Sequence, residues 1–288
     1  MVLVNTHDML KKAKKGRYAV GSFNVTDIEM IRGIVGAAEK EQSPVIIQFA
    51  ESHDNYVPLD VIGPVMINIA KLASVPVAVH FDHGETFDNI IRAIHLGFTS
   101  VMVDASKDEF NVNLEKTREI VKIAKPLNVS VEAELGAMNR EGGGDDIDYS
   151  DLDKTYTNPE EAKIFSEVSG IDMLAVAYGT VHGVYTQKPQ LNFERLKEIS
   201  SLVEIPLVVH GASGLTDEEY RQSIDNGVCK INYYSEMVHR VAIGIGKKLN
   251  NSENTKQMFI SDASIWEKEM IEQEVRERLR VFGSSGKA

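Results

Sequence analysis

Eight short runs rich in β-branched residues, separated by segments of helical period, constrain this 288-residue chain more than any other feature. They read YAVGSFNV from residue 18, PVIIQFAE from 44, PVAVHFDH from 76, SVMVDAS from 100, VSVEAELG from 129, MLAVAYG from 173, PLVVHG from 206 and VCKINYYS from 228. Several are apolar on both faces, as parallel strands covered by helices are. Between them the helical period is plain. Thr26 with Glu29 forms a capping box ahead of Ile28, Ile31, Ile34, Val35 and Ala38. A second helix starts near Thr86 and aligns Phe87, Ile90, Ile91 and Ile94, and a third is capped by Thr216 with Glu219. Eight strands alternating with helices predict an α/β fold, a single (β/α)8 TIM barrel over residues 1–288. An open doubly wound sheet would more often carry G-x-G-x-x-G after its first strand, and that turn here reads GSFNVTD. Two stretches break the alternation. Residues 137–158 are polar and glycine-rich, the pattern of an active-site lid loop after the fifth strand. Residues 251–288 form a C-terminal extension with a charged helix around 264–281, expected to pack on the barrel or on a neighbouring subunit.

Charge narrows the partners. Lys plus Arg number 31 against 43 Asp plus Glu, a formal net charge of −12. A field of that sign repels phosphate backbones and argues against nucleic acid, while local backbone N–H groups can still hold a small anion. Cys229 is the single cysteine, so a disulfide framework and a cysteine zinc finger are excluded. No stretch approaches the length of a membrane span, and no secretory h-region opens the chain. A cytoplasmic location is the expectation.

Chemistry in a barrel sits at the C-terminal ends of the strands. There the sequence ends strand three in His80-Phe81-Asp82-His83, strand four in Asp104, and strand five in Glu132-x-Glu134. His182 follows strand six and His210 ends strand seven. Three imidazoles, His83, His182 and His210, converge on one rim, a donor set that suits a catalytic zinc with open positions for substrate. Strand alternation turns His80 and Asp82 the same way and His83 the other, and His80 reads as a barrel-interior group. His7, His53, His95 and His239 read as bland. His210-Gly211-Ala212-Ser213-Gly214 and Asn232-Tyr233-Tyr234-Ser235 occupy the loops after strands seven and eight, where this fold cradles phosphate.

These residues resemble the class II, zinc-dependent ketose-bisphosphate aldolases. The likeness runs from Gly21-Ser22-Phe23-Asn24 to the helix after Ser235, and the stretch from Tyr156-Thr157-Asn158-Pro159 to Lys230-Ile231-Asn232 resembles the tagatose-bisphosphate branch. The resemblance implies a lyase that splits a ketose 1,6-bisphosphate, of fructose or tagatose type, into dihydroxyacetone phosphate and glyceraldehyde 3-phosphate. It implies zinc on His83, His182 and His210, with Asp82 giving the proton to the aldehyde oxygen. Asp104 and Glu134 match ligands of a second or alternative divalent ion. Asn24, Gly183, Gly211, Ala212, Ser213, Asn232, Tyr233, Tyr234 and Ser235 match substrate contacts, some also linked to a monovalent cation (Na+ or K+). A homodimer or homotetramer and a phosphorylated sugar as the small-molecule partner complete the expectation. In such chemistry a Lewis acid stabilises the enediolate, so no Schiff-base lysine is required.

Two departures stand out. The family lid carries Gly-Gly-x-Glu-Asp, whose glutamate takes the carbon-bound proton, yet alignment back from Tyr156 puts Gly144 there. Glu141 is the favoured substitute, with Asp145 and Asp146 as alternatives. The family's C-terminal Asp-Pro-Arg, whose arginine reaches the neighbouring subunit's far phosphate, reads Asp262-Ala263-Ser264. An aldolase acting on a ketose 1-phosphate with a different aldehyde, or a catalytically degenerate sugar-phosphate-binding paralogue, is therefore the alternative. A metal-dependent hydrolase on the same barrel would usually begin with His-x-His at the end of strand one, where this chain has Phe23-Asn24.

Overall fold

All eight runs form strands. The computed structural model describes residues 2–136, 156–185, 188–250 and 258–288. Strands β1 (Val20–Asn24), β2 (Val45–Ala50), β3 (Val77–Gly84), β4 (Ser100–Val103), β5 (Ser130–Leu135), β6 (Met173–Val176), β7 (Leu207–Val209) and β8 (Val228–Asn232) pair in chain order, and β1 closes on β8. Every pairing is parallel. Helix α1 (Thr6–Gly16) precedes the barrel. The outer ring is α2 (Ile28–Glu41), α3 (Leu59–Leu72), α4 (Phe87–Leu96), α5 (Phe110–Ala124), α6 (Pro159–Ser169), α7 (Phe193–Leu202), α8 (Asp217–Asp225) and α9 (Ser235–Leu249), followed by α10 (Ile260–Val281). The result is a (β/α)8 barrel with a C-terminal helical extension. No helix among the described residues is long and apolar enough to cross a membrane.

The barrel interior is divided along its axis. At the N-terminal mouth Val20, Ile46, Ala78, Met173, Ala175 and Val208 pack against Met9, Leu10 and Ala13 of α1, which plugs that end. Two residues further along several of these strands the interior turns polar, with Ser22, Gln48, His80 and His210 all fully buried. Burying so many polar groups is tolerable only if they satisfy one another. That requirement organises the site.

Helix caps follow the sequence in part. Thr216 and Glu219 make the expected capping box on α8. On α2 the cap is Asp27, one residue past the expected Thr26, and its carboxylate accepts from the Met30 N–H at 2.8 Å. A carboxylate at that position also meets the positive end of the helix dipole. Thr86 precedes α4, but its hydroxyl donates to Glu51 at 2.8 Å instead of capping.

Helix α10 begins at Ile260 rather than 264 and lies on the barrel, against α2. Gly33 permits the approach, because a Cβ there would stand 2.8 Å from Ile271 Cγ2. Arg280 and Arg276 close on Glu41 at 2.7 and 2.8 Å. The Arg280 hydrogen bond leads in holding that carboxyl down to about 2, against the upward push of burial.

Candidate active site and metal centre

His83, His182 and His210 meet at the C-terminal rim, each offering one ligand atom, with those atoms within 4.8 Å of one another. The ring centroids of His83 lie 5.1 Å from His182 and 4.7 Å from His210. His83 arrives by a break in strand geometry. Simple alternation would turn it away from Asp82, but the β3–β4 register shifts between Phe81 and Gly84, and His83 takes a left-handed φ of 47°. The bulge re-aims the side chain, so that Asp82 and His83 both line the same cavity, correcting the alternation argument. Gly211 serves the other two ligands. Its φ is 62°, and a Cβ there would meet the Val181 carbonyl oxygen at 2.6 Å. The loop before His182 therefore touches the loop after His210, and the Tyr185 hydroxyl donates to the Gly211 carbonyl.

Carboxylates orient the imidazoles. Asp104 Oδ2 lies 2.7 Å from His83 Nδ1, while its Oδ1 accepts from the Ser106 hydroxyl at 2.7 Å. Glu132 Oε1 lies 2.7 Å from His210 Nε2. Glu134 Oε2 is 3.0 Å from His210 Nδ1, an ionic contact not aligned as a hydrogen bond. Burial pushes His210 down, but the two glutamates outweigh it and carry the imidazole up to about 10. The negative charge of these carboxylates also suits a bound cation, which would displace the proton from the ligating nitrogen. With carboxylates fixing the ring orientations, the residues fit a divalent ion bound by three nitrogens and open to substrate. Asp104 and Glu134 are each engaged with a histidine of this triad, the single cluster of metal-donor spacing found among the described residues.

Behind the triad runs a buried polar chain. Lys230 is fully buried on β8, with Nζ 2.9 Å from Glu132 Oε2 and donating to Asn232 Oδ1 at 2.8 Å. Asn232 donates to Asp82 Oδ1 at 3.1 Å. Asp82 Oδ2 accepts from Asn24 at 2.9 Å and from Gln48 at 3.2 Å. Ser22 in turn donates to Gln48. Burial pushes Asp82 up, yet His83, His210 and Lys230 outweigh it and hold the carboxyl well below the usual range. His80 is an interior group as expected. Burial first, then Lys230, lowers it to about 3, and its Nδ1 lies 2.8 Å from Ser100 Oγ.

The sequence reading singled out neither Lys230 nor Gln48. A lysine inside the apolar run Val228-Cys229-Lys230-Ile231 was the available signal, since a lysine buried in such a strand is almost always paired. Lys230→Met should lower the unfolding free energy by about 3–5 kcal/mol, because Glu132 keeps a buried charge with one partner removed. The double variant Lys230→Met/Glu132→Leu should recover part of that stability without recovering activity, since His210 loses the Glu132 carboxylate on its Nε2. Denaturant titration beside a turnover assay checks both, and an unchanged Lys230→Met midpoint would refute the pairing argument.

The cavity in front of the triad has a volume of about 280 Å³. Asn24, Asp82, His83, His182, Gly183, Gly211, Ser213, Asn232, Tyr234 and Ser235 line it, as do Ala50 at the end of β2 and Ser52 and His53 after it. Most expected contacts are thus brought together, with two exceptions. Tyr233 is buried away from the cavity, its hydroxyl donating to Glu274 at 2.6 Å and its N–H to the Ser22 carbonyl at 2.9 Å. It comes directly after Asn232, the last residue of β8. Ala212 is fully buried with its carbonyl accepting from Tyr220, and it does not line the cavity. Glu141, Asp145 and Asp146 lie outside the described residues.

The family description "Fructose-bisphosphate aldolase class-II" matches residues 4–287. This chain belongs to that family. It is a carbon–carbon lyase that releases dihydroxyacetone phosphate from a phosphorylated ketose. A sulfofructosephosphate aldolase of Alkalicoccus urumqiensis is 38% identical over 288 residues, covering 100% of this chain and 99% of the relative. The YdjI protein of Escherichia coli K12 is 37% identical over 286 residues, 96% of each chain. The crystal structure of the YdjI aldolase superposes with a TM-score of 0.87 at 36% identity, covering 99% of both chains. Fructose-bisphosphate aldolase from Campylobacter jejuni shares the fold, with a TM-score of 0.82 at 22% identity over 98% of this chain and 95% of that one.

Proposed function

We propose that this enzyme reversibly cleaves a ketose 1-phosphate into dihydroxyacetone phosphate and an aldehyde that bears no phosphate, with zinc on His83, His182 and His210. The observation that carries this reading is the lining of the cavity. Gly183, Gly211, Ser213 and Ser235 offer small residues and the uncapped N-terminus of α9 to one phosphate, but no lysine or arginine is among the described residues around the cavity. A helix N-terminus of this kind favours a phosphate. A second phosphate would ordinarily call for a guanidinium, and Ser264 stands half-buried on α10 where the family carries one. A relative at 38% identity is likewise named for a sulfofructose phosphate, a substrate outside the ketose bisphosphates.

The chain's own residues then have distinct tasks. The first turn of α9 and Ser213 orient the phosphate, which fixes the reacting carbons near the triad. Asp82, ionised and aimed by Asn24, Gln48 and Asn232, accepts the proton of the C4 hydroxyl as the C3–C4 bond breaks. The bonding pair moves into the ketone half and the C4 oxygen leaves as the aldehyde carbonyl. Bound zinc supplies Lewis-acid stabilisation of the charge that develops on the ketone oxygen. Glu141 is assigned, on sequence position alone, to return a proton to C3.

Cleavage of fructose 1-phosphate and tagatose 1-phosphate should be compared with that of both 1,6-bisphosphates, by coupled detection of dihydroxyacetone phosphate. A kcat/KM at least about 10-fold higher for a 1-phosphate is expected, in keeping with the cost of burying an uncompensated charge. Preference for a bisphosphate overturns this reading and calls for a cationic group from residues outside those described.

A further inference from the structure

His53 departs from the bland role its sequence suggests. It sits on the short turn Glu51–Asn55 after β2, is 9% exposed, and lines the same cavity as Asp82 and His83. Its Nδ1 is buried and meets no hydrogen-bond partner. The ring is held edge-on to Phe49 and Tyr56, with centroids 6.1 and 5.7 Å away, and tilted against Tyr234 at 4.9 Å. Aromatic walls fix the imidazole without satisfying it. An unmatched buried nitrogen is costly, and at the wall of a cavity a ligand can supply the missing partner.

Position says which part of the ligand. The phosphate-side residues come from the loops after β6, β7 and β8, whereas His53 follows β2, the strand beside the one that carries Asp82. We propose that His53 is a specificity-determining residue that hydrogen-bonds a hydroxyl group on the aldehyde half of the substrate. This rests on the aldolase reading above.

The chemistry of the pocket favours a hydroxyl over an anion. Burial pushes the His53 imidazole below its usual range, so at neutral pH it is uncharged, donating from one nitrogen and accepting at the other. The neighbouring Asp82 carboxylate repels a sulfonate or phosphate at this end, and the described lining offers no cation in compensation. A neutral ring that both donates and accepts matches a hydroxyl, which does the same.

The test runs the reaction in the condensation direction, with dihydroxyacetone phosphate and either glyceraldehyde or propanal, which has the same carbon chain without hydroxyls. His53→Ala should lower kcat/KM for glyceraldehyde by about 10- to 100-fold, chiefly through KM, and lower that for propanal far less. His53→Gln, which keeps a donor and an acceptor, should restore part of the difference. Equal losses with both aldehydes, or no rescue by glutamine, would assign His53 to packing and overturn the inference. So would a parent enzyme that prefers an aldehyde ending in sulfonate or phosphate. Proton exchange into dihydroxyacetone phosphate by the parent keeps the two readings apart. A parent that exchanges and condenses, but whose discrimination ignores His53, refutes only this inference, whereas a parent with no exchange refutes the aldolase reading beneath it.

Discussion

Replacing His210 with alanine is expected to abolish turnover and strip the protein of its metal. His210 is fully buried, and Glu132 at 2.7 Å and Glu134 at 3.0 Å flank its two ring nitrogens. Losing a partner that merely orients a ligand typically costs 10- to 100-fold in metal affinity, so losing the ligand should cost more than about 100-fold. Alanine also leaves two buried carboxylates facing a void, which destabilises the rim further. Metal content after dialysis, measured beside kcat, checks both effects. Undiminished metal and turnover would place the ion elsewhere. Inactivation by borohydride in the presence of substrate, with chelators harmless, would indicate a lysine Schiff base instead. Lys230 is poorly placed for that role, since it is fully buried, paired with Glu132 and absent from the cavity lining.

The barrel was legible because its signals are local. Each strand is a short β-branched run bounded by turn residues, and each of the eight appears where the pattern put it. Helix starts were less legible, because Thr26 and Asp27 are adjacent capping residues, and the capping-box spacing to Glu29 pointed to Thr26 although aspartate is the stronger cap. Thr86 shows the same limit. Its hydroxyl is claimed by Glu51, 35 positions away in sequence, and no local rule anticipates that contact.

At the site, residue types were more legible than directions. The three histidines come together as their strand ends implied, whereas alternation wrongly separated Asp82 from His83. A one-residue bulge reverses a side chain's face, and nothing in His80-Phe81-Asp82-His83 announces the bulge. Gly84 is a clue only in hindsight: a Cβ there would meet the Met102 carbonyl oxygen at 2.5 Å, so that the distorted strand end can lie against β4. His53 stayed hidden for a different reason. Its significance lies in a missing hydrogen bond, and an absence of partners becomes visible only once the neighbours are placed.

Asp82→Asn should retain metal while losing cleavage by about 10²- to 10⁴-fold, the scale of a positioned acid–base group. The variant is chosen for what it preserves. With its carbonyl in place of Oδ2, asparagine still accepts from Asn24 and Gln48, and only the contact from Asn232 is lost. Size and most of the hydrogen bonding survive, while the group that takes the hydroxyl proton does not. Asp82→Ala is the harsher comparison, since it leaves three buried amides without their acceptor and so mixes chemistry with destabilisation. Asp82 acts on the oxygen of the aldehyde half, whereas loss of the carbon-bound proton of dihydroxyacetone phosphate belongs to another base. Exchange at that carbon should therefore survive in Asp82→Asn far better than cleavage does. If cleavage and exchange fall together while metal is retained, Asp82 acts on the ketone half, and its role at the aldehyde oxygen must be reassigned. If cleavage stays normal, another group takes the hydroxyl proton, and the buried amides around Asp82 serve the architecture of the metal rim rather than the reaction.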